Sequence, residues 1–214
     1  MKVCHISDTH MYHLDLDIPE CDMIIHSGDI DAYTLKDFTK FLVWYGNLKI
    51  KYKIFVPGNH DFFCEKFSDV SRQLCKEYNV IYLENDYIEI EGLKIYGSPY
   101  VPQYGRWAFM RQRGSELSEI WDKIPDGLDI LITHGPPKGI MDTGRGNESA
   151  GCYDLLAKVI ETNPKYHLFG HMHMCRGIEE HFGIIFINSA MVDDGYNEIR
   201  IPTLFDTTLP KHKW

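Results

Sequence analysis

Five short polar motifs, each directly after a run of apolar residues, constrain this chain more than any other feature. They read Asp8-Thr9-His10, Gly28-Asp29, Gly58-Asn59-His60-Asp61, Thr133-His134-Gly135 and Gly170-His171-Met172-His173. The runs before them, 2–6, 23–26, 53–56, 128–132 and 166–169, have the length of buried strands. Such a pattern gathers carboxylate, imidazole and amide groups at the carboxyl ends of strands, where open α/β sheets place their sites. Seven potential ligands at one sheet edge are too many for one tetrahedral zinc and suit a two-metal hydrolytic centre.

Between the motifs the pattern alternates strands with helices. Phe38, Phe41, Leu42 and Tyr45 recur at helical spacing over 35–48, and Val70, Leu74 and Tyr78 mark a second helix before a strand at 80–83. The runs 87–90 and 93–96 flank Glu91-Gly92, which reads as a tight hairpin turn. A helix over 115–124 stops at Pro125, and Leu155, Leu156, Val159 and Ile160 mark another before Pro164. Strands at 183–187 and 198–201 complete the set. Parallel βα units mixed with a hairpin predict two facing mixed sheets flanked by helices. The connection from Tyr96 to Ser115 is long, aromatic and without periodicity, the kind of loop that often carries function.

With 214 residues and no linker, low-complexity segment or repeat, one domain over 1–214 is expected. No apolar run is long enough to span a bilayer, so no membrane partner is expected. The first motif begins at Asp8, so a signal peptide could not be removed without destroying the site, and the six cysteines show no C-x-x-C spacing. Both points lead to the expectation of a cytoplasmic protein with reduced thiols. A net charge of -9 without a basic stripe argues against long nucleic acid as a partner and leaves small anionic substrates open.

The ordered motifs resemble the calcineurin-like metallophosphoesterase family, whose pattern is D-x-H, G-D, G-N-H-[DE], a later His, then G-H-x-H. The resemblance implies a four-layer α/β/β/α sandwich of two mixed β-sheets and a centre of two divalent ions. Mixed imidazole and carboxylate ligands favour Mn, Fe or Zn over Mg. Carried over residue by residue, Asp8, His10 and His173 hold the first metal, Asn59, His134 and His171 the second, and Asp29 bridges both. His60 then stabilises the pentacoordinate state or protonates the leaving oxygen, with Asp61 orienting its ring. The alternative for His60 and Asp61 is a purely structural hydrogen bond. Asp31 reads as a solvated turn acid, and His5, His13, His26, His167 and His181 fit no motif.

Protein Ser/Thr phosphatases of the superfamily carry G-D-x-x-D-R-G. Here Gly28-Asp29-Ile30-Asp31-Ala32-Tyr33 lacks the arginine, which weakens that reading. Gly97-Ser98-Pro99-Tyr100, Trp107-Ala108-Phe109, Arg113-Gly114 and Thr133-His134-Gly135-Pro136-Pro137 are similar to the small metallophosphoesterase-domain subgroup. That resemblance implies a phosphodiesterase acting on 2′,3′- or 3′,5′-cyclic nucleotides through a metal-bridging hydroxide. Tyr100, Trp107 and Phe109 are candidates to stack a base, and Arg111 and Arg113 to meet a phosphate, the alternative being a small core under the loop. The other functional readings are a broad phosphodiesterase or phosphomonoesterase and a metal-bound scaffold without turnover.

Overall fold

A computed structural model describes residues 1–208; the last six positions of the expected 1–214 domain lie outside the described residues. Among the described residues, thirteen strands and five α-helices run in the order β1 (Lys2–Ile6), β2 (Met23–His26), α1 (Leu35–Asn47), β3 (Tyr52–Phe55), α2 (Phe62–Lys66), α3 (Ser68–Glu77), β4 (Ile81–Tyr82), β5 (Asp86–Ile90), β6 (Leu93–Ser98), β7 (Val101–Pro102), β8 (Met110–Arg111), α4 (Ser115–Trp121), β9 (Ile130–Thr133), α5 (Tyr153–Thr162), β10 (Tyr166–Phe169), β11 (Gly177–His181), β12 (Ile184–Asn188) and β13 (Thr203–Asp206). One sheet has the order β13-β1-β2-β3-β4 and the other β11-β12-β10-β9-β6-β5. In each, parallel central strands are flanked by antiparallel pairings: β13 on β1, β11 on β12 and β5 on β6.

The four layers follow from strand alternation. Val3, Met23, Ile25 and Ile54 of the first sheet meet Ile95, Ile130, Ile132 and Leu168 of the second in a central cluster. Their neighbours point outward. Cys4, Ile24 and Phe55 pack under Phe38, Phe41 and Tyr45 of α1, and Leu131, Phe169 and Phe186 pack under α4 and α5 through Trp121 and Leu155. Strands covered on both faces must be apolar on both faces, which is why they read as unbroken runs. The Thr34–Asp37 capping box starts α1, and Glu91 and Gly92, both at positive φ, make the β5–β6 turn.

The predicted strand at 198–201 is not one. Ile199 makes only an isolated bridge with Val192, and the pairing partner of β1 is β13, further along. Arg200 accounts for the difference: its guanidinium donates to the carbonyls of His173, Ala190 and Val192, holding the segment as irregular chain where alternation predicts a strand.

At their carboxyl ends the sheets are joined. Ser7 after β1 bridges Ala190 after β12, with Ser7 N donating to Ser189 O and Met191 N to Ser7 O. All five motifs emerge at this seam. Among the described residues, no helix is long and apolar enough to cross a membrane.

Candidate metal centre

The motif turns are sharp. Asp8, His10, Asp29, Asp31 and His171 all lie at φ between 41° and 64°, a region costly for residues with a Cβ. These turns aim consecutive polar side chains at one point, and backbone bonds hold them: Asp8 N to Gly28 O, His10 N to Asp29 O and Gly170 N to His134 O. A Cβ at Gly170 would overlap Asp8 Oδ2 and the Ser7 side chain, so only glycine lets the fifth motif approach the first.

Three groups of donors result: Asp8, His10 and His173 converge in one, Asp29, His134 and His171 in another, and His10, Asp31 and His60 in a third that shares His10 with the first. Asp29 faces both: Oδ1 lies 3.3 Å from His134 Nε2, and Oδ2 lies 3.9 Å from His10 Nε2. Asn59 Oδ1 joins the second group 2.9 Å from His134 Nε2, while its amide donates to the Tyr104 hydroxyl.

The protonation pattern tests whether cations fit. His134 Nδ1–H donates to the Ser27 carbonyl at 2.8 Å, His10 Nδ1–H to Asp31 Oδ1 at 3.0 Å, and His173 Nδ1 faces the Asp193 carbonyl at 3.4 Å. Each ring therefore turns its Nε2 inward. His10 Nε2 and His173 Nε2 then lie 3.3 Å apart, with Asp8 Oδ1 at 3.3 Å from His173. His134 Nε2 faces Asn59 and Asp29 in the same way. Imidazole, carboxylate and amide groups converge twice, and a divalent cation at each would satisfy them.

Burial disfavours charge on His134, yet the adjacent Asp29 carboxylate outweighs it and pushes its pKa up to about 9, so the carboxylates draw positive charge to this point, as a proton on Nε2 or as a divalent cation that displaces it. Burial alone would raise Asp8 and Asp29, but the His173 hydrogen bond and the His134 charge hold them below the usual carboxylate range. His171 is pushed down to about 3 by burial and by His134, the neutral form a ligand needs.

Asp61 does not reach His60. Its buried carboxylate accepts from the backbone N–H of Gly58, Asp29, Ile30 and Ala32, tying the second motif to the third. The orienting role expected of it falls to Asp31, which is no solvated turn acid: Asp31 Oδ1 accepts from both His10 Nδ1 and His60 Nδ1, at 3.0 and 3.1 Å. His26, in no motif, accepts from Gly28 N through Nδ1 and donates to Thr9 through Nε2, linking the first two motifs from below.

Above the donors lies a cavity of about 650 Å³. Of the residues expected at substrate, Trp107 and Arg113 line it. Phe109 is fully buried in the core under α1, and Tyr100 and Arg111 pack on one another outside the lining, with Arg111 paired to Glu65. These three are corrected to anchors: a long loop over a polar site needs its own apolar and ionic ties. Tyr104, Arg145 and Tyr196 line the cavity and carried no sequence motif.

The comparisons with known proteins agree with this geometry. A family model described as calcineurin-like phosphoesterase matches residues 1–175. Metallophosphoesterase domain-containing protein 1 of Homo sapiens is 33% identical over 234 residues, covering 98% of this chain and 72% of the relative. The UPF0046 protein C25E10.12 of Caenorhabditis elegans is 37% identical over 232 residues, covering 99% and 82%. Among solved structures, the phosphopantetheinyl hydrolase of Mycobacterium tuberculosis superposes with a TM-score of 0.67 at 15% identity, covering 91% of this chain and 90% of that one. The protein TT1561 of Thermus thermophilus gives 0.60 at 11% identity, covering 96% and 98%. At these identities the structural likeness is one of fold.

Proposed function

The chain belongs to the calcineurin-like phosphoesterase family, and from that premise we propose that it is a two-metal phosphodiesterase of small diesters, cyclic nucleotides foremost. The observation that carries the proposal is the pair of imidazole–carboxylate groups that both face Asp29 at the floor of the cavity.

Asp8, His10 and His173 would hold one divalent cation and Asn59, His134 and His171 the other, with Asp29 placed to serve both. When bound, the two cations supply the positive charge that acidifies an attacking water and offsets charge on the phosphoryl oxygens. His60 works from the side. Asp31 holds its Nδ1, and Nε2 remains on the cavity side, 4.0 Å from Asp29 Oδ2. From there Nε2–H donates its proton to the leaving oxygen, a contribution of roughly 10²–10⁴ in rate for a positioned acid.

Cation supply favours a diester over a monoester. Arg113 commits its guanidinium to the carbonyls of Ala150 and Gly151, and Arg145 is paired with Asp194. The lining holds no other lysine or arginine among the described residues, so the extra charge of a monoester dianion finds no free partner. Tyr104, Trp107 and Tyr196 are the exposed aromatic residues of the lining, and Tyr104 is the most open to a base. All six cysteines are free, which supports a reducing compartment such as the cytoplasm.

The test is turnover by metal-stripped protein reconstituted with Mn²⁺, Fe²⁺ or Zn²⁺. The substrates are 2′,3′- and 3′,5′-cyclic nucleotides, bis(4-nitrophenyl) phosphate and 4-nitrophenyl phosphate. Hydrolysis of diesters well above the monoester is expected. Preference for the monoester overturns the diester assignment, and full metal loading without any turnover points to a scaffold.

A further inference from the structure

We propose that Trp107 is a positioning residue for His60, and that the 99–111 connection exists to hold the indole against that imidazole. The inference rests on the phosphodiesterase reading for what His60 does, and on geometry for how it is held.

A hydrogen bond from Nδ1 to Asp31 fixes one point of the His60 ring but leaves its plane free to turn. Trp107 fixes the plane. The two rings stack with centroids 4.3 Å apart and an interplanar angle of 20°. On another side the edge of His10 stands against His60 at 4.9 Å and 86°. The Asp31 bond, the Tyr33 hydroxyl 3.2 Å from Nδ1 and the two ring contacts together leave a single orientation, with Nε2 on the cavity side.

The loop is anchored on both sides of the indole. Ala108 N donates to the carbonyl of Asn59, the residue just before His60. Phe109 N and the Arg111 guanidinium both donate to Glu65 Oε1, at 2.9 and 3.3 Å. Ala108 and Phe109 are fully buried. These ties make the stack part of the third motif's own framework, so the residues that resembled a substrate platform serve the acid instead. One face of Trp107 is taken by His60, and Phe62 stands tilted beside it at 6.0 Å; the indole's remaining exposure to the cavity is what the experiment below must separate from its hold on His60.

In the step served, the oxygen of the attacking water bonds to phosphorus as the bond between phosphorus and the leaving oxygen breaks, the electron pair of the broken bond stays on the leaving oxygen, and the Nε2 proton of His60 moves there. A nucleoside alkoxide needs that proton. A 4-nitrophenolate is stable without it.

The experiment therefore compares Trp107→Ala and Trp107→Phe on a cyclic nucleotide and on bis(4-nitrophenyl) phosphate, using Mn²⁺-reconstituted protein. For Trp107→Ala we expect kcat on the nucleotide to fall on the order of 10²-fold with KM little changed, and kcat on the nitrophenyl ester to stay within about threefold. Trp107→Phe should recover most of the loss. A raised nucleotide KM with unchanged kcat makes Trp107 a base platform and overturns the proposal, as does an equal loss on both esters. A second readout needs no turnover: the indole ring current holds the His60 Hε1 resonance upfield, and Trp107→Ala should release it. An unmoved resonance overturns the proposal, whereas a released resonance in a protein that hydrolyses neither ester counts against the phosphodiesterase reading alone.

Discussion

The Ser27 carbonyl accepts the Nδ1–H of His134 at 2.8 Å, and this bond decides which nitrogen His134 turns toward the site. Nε2 then faces Asp29 and Asn59. Carbonyls and one carboxylate placed behind the imidazoles thus aim a candidate ligand set inward. Replacing His134 with Ala should lower bound Mn²⁺ from about two to about one per chain and abolish diester turnover. Elemental analysis of the dialysed variant checks this; full metal content would remove His134 from the centre.

Asp31 should matter to chemistry more than to folding. Its one oxygen receives both His10 and His60, so Asp31→Ala would free the proposed ligand ring and the proposed acid together. Loss of such a supporting partner typically costs 10–100-fold in metal affinity or activity, and we expect about that in kcat/KM. Asp31→Asn, which keeps an acceptor oxygen, should lose less. Equal activity in wild type and Asp31→Ala would refute the role.

Asp61 should behave in the opposite way. Four backbone N–H groups end on its carboxylate inside the protein, and removing it leaves buried donors unsatisfied. Asp61→Ala should destabilise the fold by about 3 kcal/mol or more. Urea unfolding measures this directly, and a variant as stable as wild type but inactive would restore a catalytic role to Asp61.

Stability should fall in acid through His167 in particular. Burial pushes its pKa down to about 3 from 6.5, so the unfolded chain takes the proton first. The stability this ring provides is complete above about pH 6.5 and is lost progressively toward pH 3, at up to about 1.4 kcal/mol per unit. His167→Gln should flatten the pH dependence of unfolding across that window. Parallel curves for wild type and variant would contradict the assignment.

Much of this was legible in sequence because the strands are covered on both faces, so β1, β2 and β10 appear as apolar runs ending at polar motifs. The donor residues were legible for the same reason, each sitting one to four positions beyond a strand end. What was not legible depends on how the chain turns. Asp31 reaches His10 and His60 because its backbone adopts a φ of 63°, which no local pattern announces. Asp61, next to His60 in sequence, points away from it because four N–H groups outweigh one imidazole. Trp107 and Phe109 are two residues apart in the same loop, yet one reaches the site and the other the core. Aromatic character was visible, but direction was not.

The two lining arginines give one further expectation. Arg145 spans the cavity mouth to Asp194, so Arg145→Ala should open the mouth and change KM for cyclic nucleotides by a few-fold while leaving kcat on bis(4-nitrophenyl) phosphate unchanged. Steady-state kinetics on both esters read this; a collapse of kcat on both would place Arg145 at the reacting phosphate instead.

The most direct test of the two-metal account is a titration of metal-stripped protein with Mn²⁺, following bound metal and diester hydrolysis in the same samples. The account predicts that hydrolysis rises with the second equivalent and levels off at about two per chain. Hydrolysis that levels off at one equivalent, or that never appears with both bound, would contradict it.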